Sequence, residues 1–234
     1  MKIEVVKDIL EANDTIAEEN RRLFKENGVL VFNLMSSPGA GKTTLLEKSI
    51  STLKDRIKIG VVEGDIQTEL DAKRISKKGV EVVQINTGGA CHLDGNMVKQ
   101  AIKKLYLKNI DLLFIENVGN LVCPAEFRVG EDMKIMILSI TEGDDKPLKY
   151  PLMFHESKVL VINKIDLLPY CDCELKRLRQ NALKINPGLN IFEMSCKTET
   201  GLDNWYNWLV KKVEETKGKN PTDKRNITDI QKNR

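Results

Sequence analysis

The chain has 234 residues, 41% hydrophobic and 30% charged, with 37 basic against 34 acidic side chains and a formal charge of +3. That length fits one large domain with a substantial core and a helical extension, and the charge balance leaves no field to steer it to nucleic acid or a membrane surface. Apolar runs such as VLVFNLM (29–35) are too short to span a bilayer, MKIEVVKDIL carries no signal-peptide pattern, and an odd count of five cysteines points to reduced thiols in the cytoplasm.

In chain order, residues 1–27 predict an amphipathic helix packed on the main domain, with Val5, Val6, Ile9, Leu10, Ile16, Leu23 and Phe24 apolar among charges. From Gly28 short β-rich runs alternate with helical stretches. The predicted strands are 29–35, 57–63, 80–85, 111–116, 133–140, 157–162 and 190–194, and the predicted helices 42–54, 68–77, 95–106, 172–185 and 201–215. Such alternation predicts an α/β domain over 28–215, a mostly parallel sheet layered between crossover helices. Residues 216–234 are polar and read as a disordered tail.

The first predicted strand runs into SSPGAGKTT (36–44), which then opens a helix. This is the strand–loop–helix context of a phosphate-binding loop, so the expected fold is that of P-loop NTPases. Gly39, Ala40 and Gly41 offer backbone N–H groups to a phosphate, and the helix start adds partial positive charge. Lys42 is positioned to reach the β- and γ-phosphates, the Thr43 hydroxyl to hold Mg²⁺, and Thr44 to join the phosphate contacts. Ser36 stands where the usual motif has its first glycine.

Strand 157–162 leads into NKID (163–166). A carboxylate at Asp166 would accept from the N1–H and exocyclic amine of guanine, whereas adenine presents an acceptor at N1 and would leave it unpaired. Asn163 is expected on the base edge and the stem of Lys164 over the ring. Ser195, Cys196 and Lys197 fit a loop backing the base. The site therefore reads as one for GTP.

Phosphoryl transfer also needs carboxylates at strand ends to hold Mg²⁺. ENVG (116–119) supplies Glu116 for the metal or its water, and Gly119 as a sensor of the γ-phosphate. EGDIQTELD (63–71) supplies Asp65 as a Mg²⁺ neighbour and Asp71 to position water. No glutamine or arginine finger is legible, which predicts slow intrinsic hydrolysis.

GGACHLDG (88–95) sets Cys91 beside His92 in a glycine-flanked loop, and NVGNLVCPAE places Cys123 four residues after Gly119. Cys91, His92 and Cys123 make an N/S donor set suited to Zn²⁺ or Ni²⁺. The fourth ligand of a tetrahedral site would then be water or come from a second subunit. The C-x-C of YCDCE (170–174) and the lone His155 read as weakly binding or solvated instead.

Taken together, SSPGAGKTT, EGDIQTELDA, TGGACHLDGNMV, ENVGNLVCPAEF and NKIDL resemble the hydrogenase nickel-incorporation GTPases of the HypB family, over about residues 5–215. The resemblance implies a SIMIBI-class P-loop fold, GTP-dependent dimerisation, and a metal site near the dimer interface. It also implies nickel delivery during [NiFe]-hydrogenase maturation, with a HypA-like nickel chaperone and the hydrogenase large subunit as partners. Lys42 and Thr43 match its phosphate loop, Asn163, Lys164 and Asp166 its guanine motif, and Cys91, His92 and Cys123 its metal ligands.

Some members begin with C-x-x-C-G-C or carry a histidine-rich store. Residues 1–26 contain neither Cys nor His, so neither property is expected of them. Alternative readings are a urease-type nickel GTPase, whose contiguous Cys-Pro-His is here Cys123-Pro124-Ala125, and a regulatory GTPase with a structural zinc. An ATP-using kinase is opposed by NKID.

Overall fold

The computed structural model describes residues 2–65 and 70–218, and side chains over 9–64 and 71–218. The expected disordered tail falls almost entirely on 219–234, outside the described residues. Strand β1 (Leu30–Ser36) lies at the heart of a seven-stranded sheet of order β3-β2-β4-β1-β5-β6-β7. Its partners are β2 (Ile59–Asp65), β3 (Glu81–Asn86), β4 (Leu112–Glu116), β5 (Met133–Ser139), β6 (Val159–Asn163) and β7 (Asn190–Glu193). Every pairing is parallel. β1, β4 and β6 are buried along their whole length, as parallel strands covered on both faces must be, which explains their unbroken apolar runs.

On one face, helices α2 (Lys42–Leu53) and α9 (Leu202–Lys217) cover the sheet. Trp205 and Trp208 stack there 5.3 Å apart, Trp208 lies 5.4 Å from Phe32 of β1, and the buried Trp205 indole donates to Ser49 Oγ at 2.9 Å. On the other face α4 (Gly95–Ile102) packs with α1 (Lys2–Glu26). α3 (Leu70–Ser76) joins the α2 face through Ile75, α5 (Cys123–Glu126), α7 (Pro151–Glu156) and α8 (Leu175–Ile185) cover a further cluster with Met35 and Met136, and α6 (Lys146–Lys149) packs on α8.

The strands fall within two residues of the sequence reading. The predicted helix 95–106 ends earlier, because the chain turns out to let the Tyr106 N–H donate to Glu81 Oε2 at 2.9 Å. The helix expected from 172 starts at Leu175, since the Glu174 N–H is held extended by Asp144 Oδ2 at 2.8 Å. Residues 141–156, unassigned from sequence, and Ile140, expected to end a strand, fold into short helical turns, α6 and α7 each opening with a proline in the first turn, where its missing N–H costs nothing.

Of the expected apolar stripe of α1, Phe24 is buried and Leu10 and Ile16 are half-buried, while the side chains of Val5 and Val6 lie outside the described residues. Among the helix's described side chains the buried ones are Asn13, Ala17, Asn20 and Phe24, at i, i+4, i+7 and i+11, while Ile9 and Leu23 are exposed. The stripe is partly polar because it meets bare backbone. Asn13 accepts from the Gly95 N–H at 2.8 Å and donates to the Arg128 carbonyl at 2.9 Å. Asn20 donates to the carbonyls of Gly95 and Val129 at 2.8 and 3.1 Å. Helix and loop approach so closely that a Cβ on Gly130 (φ +102°) would lie 2.7 Å from that of Asn20. Among the described residues no helix is long and apolar enough to cross a membrane.

Candidate functional site

All strands point one way, so the loops after β1, β2, β3, β4 and β6 open on one edge of the sheet, where α/β folds hold their ligands. After β1 the chain curls through Gly39 (φ +77°) and Gly41 (φ +106°) into α2. Gly41 is required twice, by its left-handed backbone and because a Cβ would lie 2.4 Å from Asn163 Nδ2. Lys42 is buried and donates to Ser36 Oγ at 2.9 Å, so the residue that replaces the usual glycine holds the lysine at the loop's mouth. The Ser37 hydroxyl oxygen is buried in this loop without a partner.

Across the cleft the Thr43 hydroxyl donates to Glu116 Oε1 at 2.8 Å. Glu116, at the end of β4, pairs in register with Glu63 on β2, and both are buried. One oxygen of each carboxyl group, Glu63 Oε2 and Glu116 Oε2, lacks any hydrogen-bond partner. Burial and the facing Glu116 push Glu63 up to about 11, and burial raises Glu116 as well, with Lys42 opposing. Two orphaned carboxylate oxygens beside a threonine hydroxyl form the hard-oxygen donor set that a divalent cation takes up, so these residues fit Mg²⁺.

A cleft of about 420 Å³ runs from Gly39, Lys42 and Thr44 past Glu63, Asp71 and Glu116 to Gly119. Asp71 is tied to Arg74 at 2.9 Å, and Arg74 also reaches Glu47. The side chain of Asp65, the other expected Mg²⁺ neighbour, lies outside the described residues. Glu63 and Arg74 were missed from sequence. Parallel register with β4 brings Glu63 beside Glu116, and only its position within EGD hinted at it.

The NKID segment is built against the phosphate loop. Asn163 donates to the Ala40 carbonyl at 2.9 Å, and Lys164 Nζ to that of Gly39 at 2.7 Å. Lys164 holds a left-handed backbone (φ 63°), a strained setting for a non-glycine residue. Ser195 Oγ donates to Asp166 Oδ1 at 2.6 Å and accepts from the Lys197 N–H, while the Cys196 N–H donates to Asn163 Oδ1 at 3.2 Å. The Asp166 carboxylate is thus braced from the 195–197 loop.

The third group lies past the Gly119 end of the cleft, in the loops after β3 and β4. Cys91 Sγ stands 2.9 Å from Cys123 Sγ and 3.6 Å from His92 Nδ1, and the ligand atoms of all three lie within 4.8 Å of one another. Tetrahedral zinc would set sulfur–sulfur and sulfur–nitrogen pairs about 3.7 and 3.6 Å apart, so the Cys91–His92 pair already matches and the two sulfurs would part by about 0.8 Å. Burial lowers the His92 imidazolium below its usual range, favouring the neutral ring that binds metals, and the ring stacks on Phe127 with centroids 3.8 Å apart. The hydrogen bond with Cys91 raises the Cys123 thiol in the metal-free protein. Cys123 opens α5, whose Ala125 carbonyl accepts from the buried Lys134 ammonium at 2.5 Å. Gly119 packs against Pro38 of the phosphate loop so tightly that a Cβ there would lie 3.0 Å from it. His155 is exposed and pairs with Glu156. Cys171 and Cys173 are free thiols outside any such group among the described residues, and burial pushes Cys173 up to about 11.

Residues 30–193 match the CobW/HypB/UreG nucleotide-binding domain family. The hydrogenase maturation factor HypB of Rhizobium leguminosarum bv. viciae is 51% identical over 207 residues, 88% of this chain and 69% of that protein. The chain belongs to the HypB family. Among solved structures, HypB from Helicobacter pylori in complex with nickel superposes with a TM-score of 0.83 at 43% identity, covering 87% of this chain and 96% of that one. HypB from Archaeoglobus fulgidus superposes with a TM-score of 0.82 at 37% identity, covering 87% and 99%. The expected α/β P-loop fold with an N-terminal helix is therefore that of HypB structures. In HypB terms, the phosphate loop, the guanine motif and the Cys/His cluster of this chain lie along one edge of one sheet.

Proposed function

We propose that this chain is a GTP-hydrolysing metallochaperone, which holds nickel or zinc at Cys91, His92 and Cys123 and helps insert nickel during [NiFe]-hydrogenase maturation. The observation that carries this reading is the placement of Cys123 four residues past Gly119, the glycine that abuts the phosphate loop. Lys42 and the loop amides bind the phosphates, and Asp166, with Asn163 and Lys164, selects guanine. Mg²⁺ held by Thr43, Glu116 and Glu63 would neutralise charge developing on the transferred phosphoryl group. GTP favours a homodimer that shields the metal, and hydrolysis loosens it toward a HypA-like chaperone and the hydrogenase large subunit.

A purely structural zinc is a weaker reading. Such sites are closed by four protein ligands, whereas among the described residues three converge here and Cys91 is exposed. The urease-type signature is broken at Ala125. The test is titration of nickel and zinc into the metal-free chain with Mg–GDP and with a non-hydrolysable GTP analogue, followed by light scattering. Tighter metal binding and a dimer with the analogue support the proposal; affinity and mass indifferent to nucleotide contradict it.

A further inference from the structure

Cys91 and His92 sit after β3, and Cys123 after β4, with β2 intervening in the sheet. A γ-phosphate sensed at Gly119 has an obvious covalent route to Cys123 but none to the other two ligands. Two asparagines flanking Gly119, Asn117 and Asn120, supply a hydrogen-bonded one. Asn117, next to the Mg²⁺-facing Glu116 and 1% exposed, accepts at Oδ1 from the Leu93 N–H at 3.0 Å and from the Val118 N–H at 3.0 Å. Asn120 donates from Nδ2 to the Cys91 carbonyl at 3.3 Å and accepts at Oδ1 from the Val122 N–H at 2.8 Å. The bonds to Cys91 and Leu93 grip the chain on both sides of His92, and Gly119, between the asparagines, is the residue pressed on Pro38.

We infer that Asn117 and Asn120 are positioning residues that tie the Cys91–His92 loop to the γ-phosphate turn, so that nucleotide state moves all three ligands as one unit. The inference rests on the proposed reading of a nucleotide-coupled metal site. Its physical content is a linkage: nucleotide affects metal affinity only as far as the two sites share an element with two arrangements, and this yoke is that element.

The test measures nickel affinity of the full chain by chelator competition, with Mg–GDP and with a non-hydrolysable GTP analogue. Asn120→Asp is nearly isosteric and keeps the acceptor for Val122 while removing the donor to Cys91. Asn117→Ala removes the buried link to Leu93; if it fails to fold, shown by its melting curve, Asn120→Asp carries the test. Wild type is expected to show a ratio of at least about fivefold between the two nucleotide states, the low end of typical couplings. In the variants this ratio falls to within about twofold of unity, while the nickel–thiolate charge-transfer band in the GDP state and the affinity for the GTP analogue persist. A folded variant that keeps the wild-type ratio overturns the yoke. A wild-type ratio of one overturns the nucleotide-coupled reading itself, and the yoke with it.

Discussion

Glu63 and Glu116 face each other in register on neighbouring parallel strands, both buried, each with one carboxyl oxygen lacking a hydrogen-bond partner. Burial first, and the facing Glu116 second, raise Glu63 well above the usual carboxylate range in the metal-free protein, and two like charges cannot both ionise there without a cation. Glu63→Gln mimics that protonated state and should leave metal-free stability within about 1 kcal/mol of wild type. With Mg²⁺ the same variant, like Glu116→Ala, should lose about tenfold or more in kcat while keeping most nucleotide affinity. Unchanged kcat in both variants would show that the cation is held elsewhere.

Asp166 is braced at Oδ1 by Ser195 at 2.6 Å, and in the proposed reading its other oxygen reads the base. Asp166→Asn should weaken GTP by about 1–3 kcal/mol, the cost of an unmet buried donor, and shift preference toward xanthosine triphosphate. Competition binding among GTP, ATP and xanthosine triphosphate checks this. Equal wild-type binding of ATP and GTP would contradict it.

The phosphate loop and guanine motif were legible in the sequence because each packs its chemistry into a few contiguous residues with fixed spacing. Cys91, His92 and Cys123 were legible from residue type, since reactive donors in glycine-flanked loops have little role in a core. Glu63 was not: its role comes from register with β4, which no local pattern encodes. Asn13, Asn20, Asn117 and Asn120 were invisible for the same reason, because their partners are backbone groups of distant segments. The turns of 140–156 are too short for periodicity to reveal.

The polar stripe of α1 carries its own prediction. Asn20→Ala leaves the buried carbonyls of Gly95 and Val129 without their donor and should cost about 1–3 kcal/mol. Urea denaturation of the full chain reads this as a lower midpoint at constant slope. An unchanged midpoint would mean that α1 is not docked through this residue.

Burial behind the guanine site pushes the Cys196 thiol up to about 11, with Lys48 opposing. A raised value means the neutral thiol persists below that pH, so at pH 8 the reactive thiolate is scarce. In the metal-free protein, iodoacetamide should modify exposed Cys91 while sparing Cys196, whose labelling rises only as pH approaches that value. Mass spectrometry of the peptides decides. Comparable labelling of both cysteines at pH 8 would contradict the burial of Cys196.

The central claim is that Cys91, His92 and Cys123 hold one transition-metal ion. Nickel and zinc titrated into wild type, Cys123→Ala and the Cys171→Ala/Cys173→Ala pair, with GTP affinity measured on the same samples, test it most directly. Cys123→Ala should weaken metal binding by about tenfold or more with GTP affinity intact, and the 171/173 pair should change little. A Cys123→Ala variant that binds both metals as wild type does would contradict the claim.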